Sequence, residues 1–194
     1  GLVNANFIDG IGVQATALFG KTEDANPYRY FFVDAKTTFK PSLGFAAPVF
    51  FYGFGGGFYY NLTQKTPDDP SKLDEKATNF REKYEPSKGK LGIRASVVMG
   101  LAVEETFNGD VTLEVGINSN TWGITNISLM GDGYSMVKIK DRAKAPVTLD
   151  LDMAYHFETK VFDASLVTVI KTPYKKPTVT GGGTVRFYRD PNLW

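Results

Sequence analysis

Residues 147–158 read VTLDLDMAYHFE. Val147, Leu149, Leu151, Met153, Tyr155 and Phe157 fall on one side of an alternation; Thr148, Asp150, Asp152, His156 and Glu158 fall on the other. A period of two is the mark of a β-strand, whose successive side chains point to opposite faces. Downstream, Phe162, Ala164, Leu166, Thr168 and Ile170 repeat it, and a shorter run over 184–188 closes the chain. Upstream, Val111, Leu113, Val115 and Ile117 alternate with Thr112 and Glu114, and the odd positions from Leu91 to Val103 alternate with Arg94, Ser96 and Glu104. Nearer the start, runs over 11–19 and 28–39 behave alike, and over 49–61 Phe50, Tyr52, Phe54, Phe58 and Tyr60 form an aromatic row opposite Gly53, Gly55 and Gly57.

Several of these runs last eleven residues or more, whereas ordinary strands have about five or six. At about 3.3 Å per residue they reach roughly 35 to 40 Å. Short links between them favour an antiparallel meander over crossover connections. The pattern predicts an all-β fold: a meander of about eight or nine strands, forming a strongly curled sheet or barrel-like structure in a single domain over 1–194. Asn108-Gly109, Asn118-Ser119-Asn120 and Gly131-Asp132-Gly133 read as turn or bulge chemistry. Stretches 61–69 and 171–183 read as flexible links.

One segment departs from the alternation. Leu73, Ala77, Phe80 and Tyr84 follow Asp69-Pro70 at helical spacing, with Pro86 as a stop. This predicts one amphipathic helix over about 70–85, set to cover an open end of the sheet.

The chain has 194 residues, 22 Lys+Arg against 21 Asp+Glu, one His and no Cys. Near-neutral charge gives no bulk attraction to nucleic acid, so none is expected as a partner. The absence of Cys excludes a disulfide framework, a thiolate metal site and a Cys nucleophile. One His excludes a His-pair zinc site and makes any Ser-His-Asp triad depend on His156. No run of about 18 apolar residues suits a membrane helix, and no stretch within these residues reads as a signal peptide. The opening Gly1-Leu2-Val3 reads as an internal cut, so the chain is expected to be a fragment of a longer one.

Four constellations invite chemistry, and each has a plainer structural reading. Gly55-Gly56-Gly57 lies between strand-forming aromatics rather than before a helix. It therefore reads as a place of close approach, not a phosphate loop. Asp150, Asp152, His156 and Glu158 sit in line at spacings that suit a carboxylate pair, but a solvated strand face explains them more simply. Asp132 lacks the spaced acids of a calcium loop, so no metal or cofactor is expected. Asn61-Leu62-Thr63 and Asn126-Ile127-Ser128 match the glycosylation pattern. The binding candidates are aromatic: Tyr28, Tyr30, Phe32 and Trp122, which suit stacking on a glycan or a protein partner.

The stretches YRYFFVDAKTTF, LGFAAPVFFYGFGGGFYYNL, YEPSKGKLGIRASVVMG, FNGDVTLEVGIN and WGITNISLMGDGY resemble segments of very large, β-rich proteins of Bacteroidetes-type bacteria. The resemblance spans residues 28–134, with 52–60 as its most distinctive run. It implies an extracellular or cell-surface setting and a modular context, and it supplies no catalytic residues. The expectation is therefore a non-catalytic structural or interaction module of a large surface protein, not an enzyme. Its partners would be neighbouring domains of the parent chain, other copies, or a glycan. A hydrophobic-ligand carrier is the alternative, with Phe50, Tyr52, Phe54, Phe58 and Tyr60 lining a lipid site, and an outer-membrane β-barrel is a further one.

Overall fold

The computed structural model describes residues 2–8, 11–65, 83–171 and 179–188. They form one antiparallel sheet in which spatial order follows chain order. The strands are β1 (Leu2–Ile8), β2 (Ile11–Lys21), β3 (Arg29–Ala46), β4 (Val49–Gln64), β5 (Tyr84–Leu101), β6 (Asn108–Asn118), β7 (Ile124–Ser135), β8 (Val147–His156), β9 (Val161–Ile170) and β10 (Val179–Tyr188). The expected all-β meander is present, with ten strands, and it stays open: β1 and β10 are the two edges. A short 3₁₀ segment, Ile139–Lys144, precedes β8.

The helix expected over 70–85 lies outside the described residues except at its end, where Tyr84 and Glu85 begin β5 and Pro86 pairs with Leu62. Leu2–Ile8 was not expected as a strand; its LVNANFI sequence is short, and its alternating partners to the apolar residues are asparagines. Asn108-Gly109 is not a hairpin turn. It lies within the β5–β6 ladder, and the chain reverses over 102–107. The Asn108 amide nitrogen donates to the Glu104 and Val137 carbonyls while its oxygen accepts from Arg142 Nε, so the side chain pins the turn from inside the sheet. Gly131-Asp132-Gly133 continues β7 without a register shift, and Gly181-Gly182-Gly183 lies in β10. The turn expected at 118–120 is found, with Asn118 ending β6 and Trp122 at φ 57°.

The register decides how the sheet is shaped. One row of directly paired residues crosses all ten strands: Val3, Ala15, Ala35, Gly56, Ala95, Leu113, Leu129, Met153, Ala164 and Val185. On the side where even-numbered strands begin and odd-numbered ones end, the row lies four to seven residues from the strand end in β2 and in β4 to β10, so those ends show no progressive drift. The bulges fall away from the row, as at Asn61, whose φ of 55° shifts the β4–β5 register between Tyr60 and Leu62. A ten-stranded barrel with strands tilted 35–45° needs a cumulative stagger on the order of ten residues. The strands here have almost none, so they form an open wall.

Candidate functional site: the two faces of the sheet

Alternation on a level register sorts the side chains into two continuous faces. On the first, the row Thr16, Asp34, Gly57, Arg94, Glu114, Ser128, Ala154, Asp163 crosses from β2 to β9. Beside it run Lys36, Gly55, Ser96, Thr112, Met130, Asp152 and Ser165. This is the polar face, and at its centre it is buried. Glu114 is 0 % exposed, and it accepts hydrogen bonds from Tyr59 Oη at 2.8 Å and from Tyr84 Oη. Arg94 Nε lies 3.2 Å from the same carboxylate, and Arg94 Nη1 donates to Asp34 Oδ2 at 3.2 Å. Phe32, Tyr59, Leu62 and Tyr84 pack around this cluster, and the Arg94 guanidinium lies over the Phe32 ring.

A second charged cluster lies further along the strands. Asp110 accepts from Lys36 Nζ and, at 2.8 Å, from Arg142 Nη1. Lys36 stands on β3 and Asp110 on β6, so this contact spans two intervening strands. Gln64 on β4 likewise accepts from Ser128 on β7. Such reach requires the sheet to curl toward its polar face.

The glycines of β4 make these contacts possible. Gly57 stands between Asp34 and Arg94, and a Cβ there would sit 2.7 Å from Asp34 Oδ2 and 2.4 Å from the Val33 carbonyl oxygen. Gly55 stands between Lys36 and Ser96 in the same way. The missing side chains leave a trough in which the ion pairs cross the strand. A polar cleft of about 210 Å³ opens over it, lined by Gln14, Thr16, Asp34, Lys36, Arg94, Ser96 and Thr112.

Burial sets the protonation behaviour. Desolvation raises the Glu114 and Asp34 pKa values, against the lowering pull of Tyr84, Arg94 and Tyr59 on Glu114 and of Arg94 and Lys36 on Asp34. Burial and the Glu114 carboxylate push both Tyr59 and Tyr84 up, so the phenols remain donors. Asp152 is raised to about 6, chiefly by burial and further by Asp150, Glu114 and Asp132, with Lys83 opposing.

The opposite face is apolar and exposed. Between the level of Phe19, Phe31 and Tyr60 and that of Ile11 and Phe39, none of its described positions is Asp, Glu, Lys or Arg. Phe19 is 71 % exposed, Ile93 53 % and Phe187 62 %, with Phe54, Leu113 and Leu166 also in the exposed class. Aromatic rings gather toward one end, where Phe31 packs on Phe19, Phe58 and Tyr60, and Phe162 stacks on Phe187. The band is about 27 Å tall at ~3.4 Å per residue and about 43 Å wide at ~4.8 Å per strand. Its projected area is on the order of 1,100 Å², well beyond the largest apolar patch of a typical monomer, about 300–600 Å².

The expected site residues divide between these faces. Phe32 is buried in the polar-face cluster, Tyr30 packs against it, and Tyr28 is half-buried beside the β2–β3 turn, its backbone N–H donating to Thr22 Oγ1. Only Trp122, 73 % exposed, stands out in the solvent. The aromatic row splits: Phe54, Phe58 and Tyr60 lie on the exposed apolar face, Phe50 is half-buried, and Tyr52 is buried with its hydroxyl donating to the Leu101 carbonyl. The register shift between Phe51 and Gly53 breaks the row. Asp150, Asp152 and His156 share the polar face, with His156 Nε2 3.7 Å from Asp163 Oδ2, while Glu158 lies beyond the strand and accepts from Lys90 Nζ. Asp132 pairs with Asp110 and Asp150 in the ladder, and among the described residues no group of three or more His, Asp or Glu is placed to hold a metal. Asn61 and Asn126 are both buried; Asn61 bonds the Arg29 carbonyl and the Gly89 N–H.

Glu114 and Arg94 form the centre of the molecule, and sequence reasoning passed over both. The available signal was opposite charge at paired strand positions, Arg94 directly opposite Glu114 and Asp34 facing Arg94 across Gly57. No helix among the described residues is long and apolar enough to cross a membrane, a statement that does not bear on strands. No family model, curated protein or solved structure matches the chain.

Proposed function

We propose that the chain is a non-catalytic structural and interaction module whose apolar sheet face packs against another apolar protein surface, on a neighbouring domain or another copy. The observation that carries this reading is the uncharged, exposed face of on the order of 1,100 Å², larger than the roughly 800 Å² each partner contributes to a standard interface. Its level band suits face-to-face packing against a second β-surface. The resemblance of residues 28–134 supports an extracellular or cell-surface setting. In the Ile93→Glu/Leu113→Glu variant, binding of a hydrophobic dye and self-association should fall at least several-fold while the far-UV dichroism stays that of the parent. Unchanged dye binding and unchanged sedimentation would remove the reading, and so would turnover of ester, glycoside or peptide substrates above background.

A second reading has its own support. An uncharged outer face backed by a buried, ion-paired inner face is the arrangement of a membrane β-barrel wall. The missing stagger counts against it, because tilted barrel strands drift in register from one to the next. Flotation with phosphatidylcholine vesicles separates the two. A chain that needs detergent and floats with the vesicles fits the membrane wall. One that stays in the aqueous fraction fits the interaction module.

A further inference from the structure

The register carries an inference about the sheet edges that holds whatever covers the apolar face. Among the described residues β1 pairs only with β2, and β10 only with β9. Free edges invite unwanted pairing, and proteins commonly block them with charge, proline or bulges. β1 reads LVNANFI, without a charge or a proline, and its one register shift falls at the turn end, between Asn6 and Ile8. β10 reads VTGGGTVRFY, with a single charge and no proline. Neither edge is built to stay unpaired.

The two described edge strands cannot satisfy each other within one chain. Val3 and Val185 occupy the same row, so closure at that level would need upright, unstaggered strands, which closed barrels do not have. Closure with a stagger on the order of ten residues would slide the seven residues of β1 past the ten of β10. Pairing between chains meets no such obstacle. The strand number is even, so β10 of one copy and β1 of the next run antiparallel. Val3 and Ala5 stand opposite Ala15 and Val13 in the apolar rows, and Gly183 and Val185 stand opposite Leu166 and Ala164 in those same rows. Joined edge to edge, the apolar and polar faces continue unbroken from copy to copy.

We propose that β10 of one copy adds to β1 of a second copy, head to tail, extending the sheet. The contact is heterologous and does not close, so it builds open assemblies. The lack of native Cys makes the test clean. Single variants Ala5→Cys and Gly183→Cys, one carrying a size tag, are mixed as full chains and treated with a short bismaleimide. Gly181→Cys replaces Gly183→Cys if that variant does not fold; a Cβ at either position meets nothing within 4 Å. The expected product is a mixed dimer at twice the chain mass, its yield rising with concentration. A Leu166→Cys/Gly183→Cys chain, paired in the β9–β10 ladder, is the control for reactivity. Cross-linking within a single Ala5→Cys/Gly183→Cys chain at high dilution would overturn the proposal. So would dimers of one variant with itself alone, or no mixed dimer while the control closes.

Discussion

The two faces of this sheet invert the usual arrangement. In most half-exposed sheets the apolar side chains are inside and the charges face water. Here Glu114, Ser128 and Asp163 are buried, while Phe19, Ile93 and Phe187 are exposed. The lesson concerns what alternation encodes. A period of two separates the side chains into two sets, but the direction of curl and the neighbouring surfaces decide which set loses its water. The polar face offsets most of its burial internally, through ion pairs, phenol donors and a glycine trough, with Arg94 Nε and Arg142 Nη2 left buried without a hydrogen bond. The apolar face has no partner within the described residues, and that is why the functional reading rests on it.

The largest effect should come from removing the acceptor at the centre of the polar face. Glu114→Ala leaves Arg94, Tyr59 and Tyr84 desolvated around an empty position. Breaking a buried pair in this way costs about 3–5 kcal/mol. Urea unfolding should show that loss, with Glu114→Gln milder because it keeps an acceptor for the phenols. A loss below about 1 kcal/mol would mean that water already solvates the cluster.

Next in size is a contrast between glycines. Gly57→Ala places a methyl group 2.4 Å from the Val33 carbonyl oxygen and 2.7 Å from Asp34 Oδ2. Backbone must move there, and about 2–3 kcal/mol is expected. Gly181→Ala meets nothing within 4 Å and should be neutral or slightly stabilising. Equal losses at both positions would show that the trough is not a site of close approach.

Much of this architecture is legible in the alternation of the sequence. The strands β2 to β4, β6, β8 and β9, β5 from residue 91 and β10 from residue 184 follow from alternation alone, and the close-approach reading of the β4 glycines agrees with the distances around Gly55 and Gly57. Other features were not legible, for physical reasons. Asn108 resembles a turn residue because asparagine tolerates positive φ, yet its amide closes the turn on the Glu104 carbonyl and makes two long-range bonds, to Val137 and Arg142. Gly131 and Gly133 resemble turn residues because glycine marks turns, yet here they continue a strand. Phe32 resembles an exposed aromatic because its neighbours on that face are charged, and only the curl around Tyr59 and Tyr84 buries it. Register and curl are long-range properties, and one strand's sequence specifies neither.

A smaller effect distinguishes the acids of the polar face by pH. Asp152 is raised to about 6 in the folded chain from an ordinary value of 3.8. The folded state therefore holds its proton over a window in which the unfolded state has released it. The associated stability is fully present below about pH 4 and is lost as the pH rises through about 6. Asp152→Asn should stabilise the protein at pH 7–8 by on the order of 1–2 kcal/mol and flatten the pH 4–6 slope of the unfolding free energy. An unchanged slope would assign that slope to Glu114 or Asp34 instead.

The smallest effect on stability should accompany the largest effect on association, and this sharpens the comparison between faces. Ile93 lies 53 % exposed in the middle of the apolar band, between Phe58 on β4 and Val115 on β6. Replacing it with Ser in the isolated chain removes little buried area, so the unfolding free energy should move by less than about 0.5 kcal/mol. The apolar area available to a partner is cut at its centre, where truncations in protein interfaces cost most. Sedimentation and dye titration of Ile93→Ser should then show weakened association beside an unaltered urea midpoint. If the midpoint falls by more than about 1 kcal/mol, Ile93 is already packed within the free chain, and the apolar face is a core surface rather than a docking one.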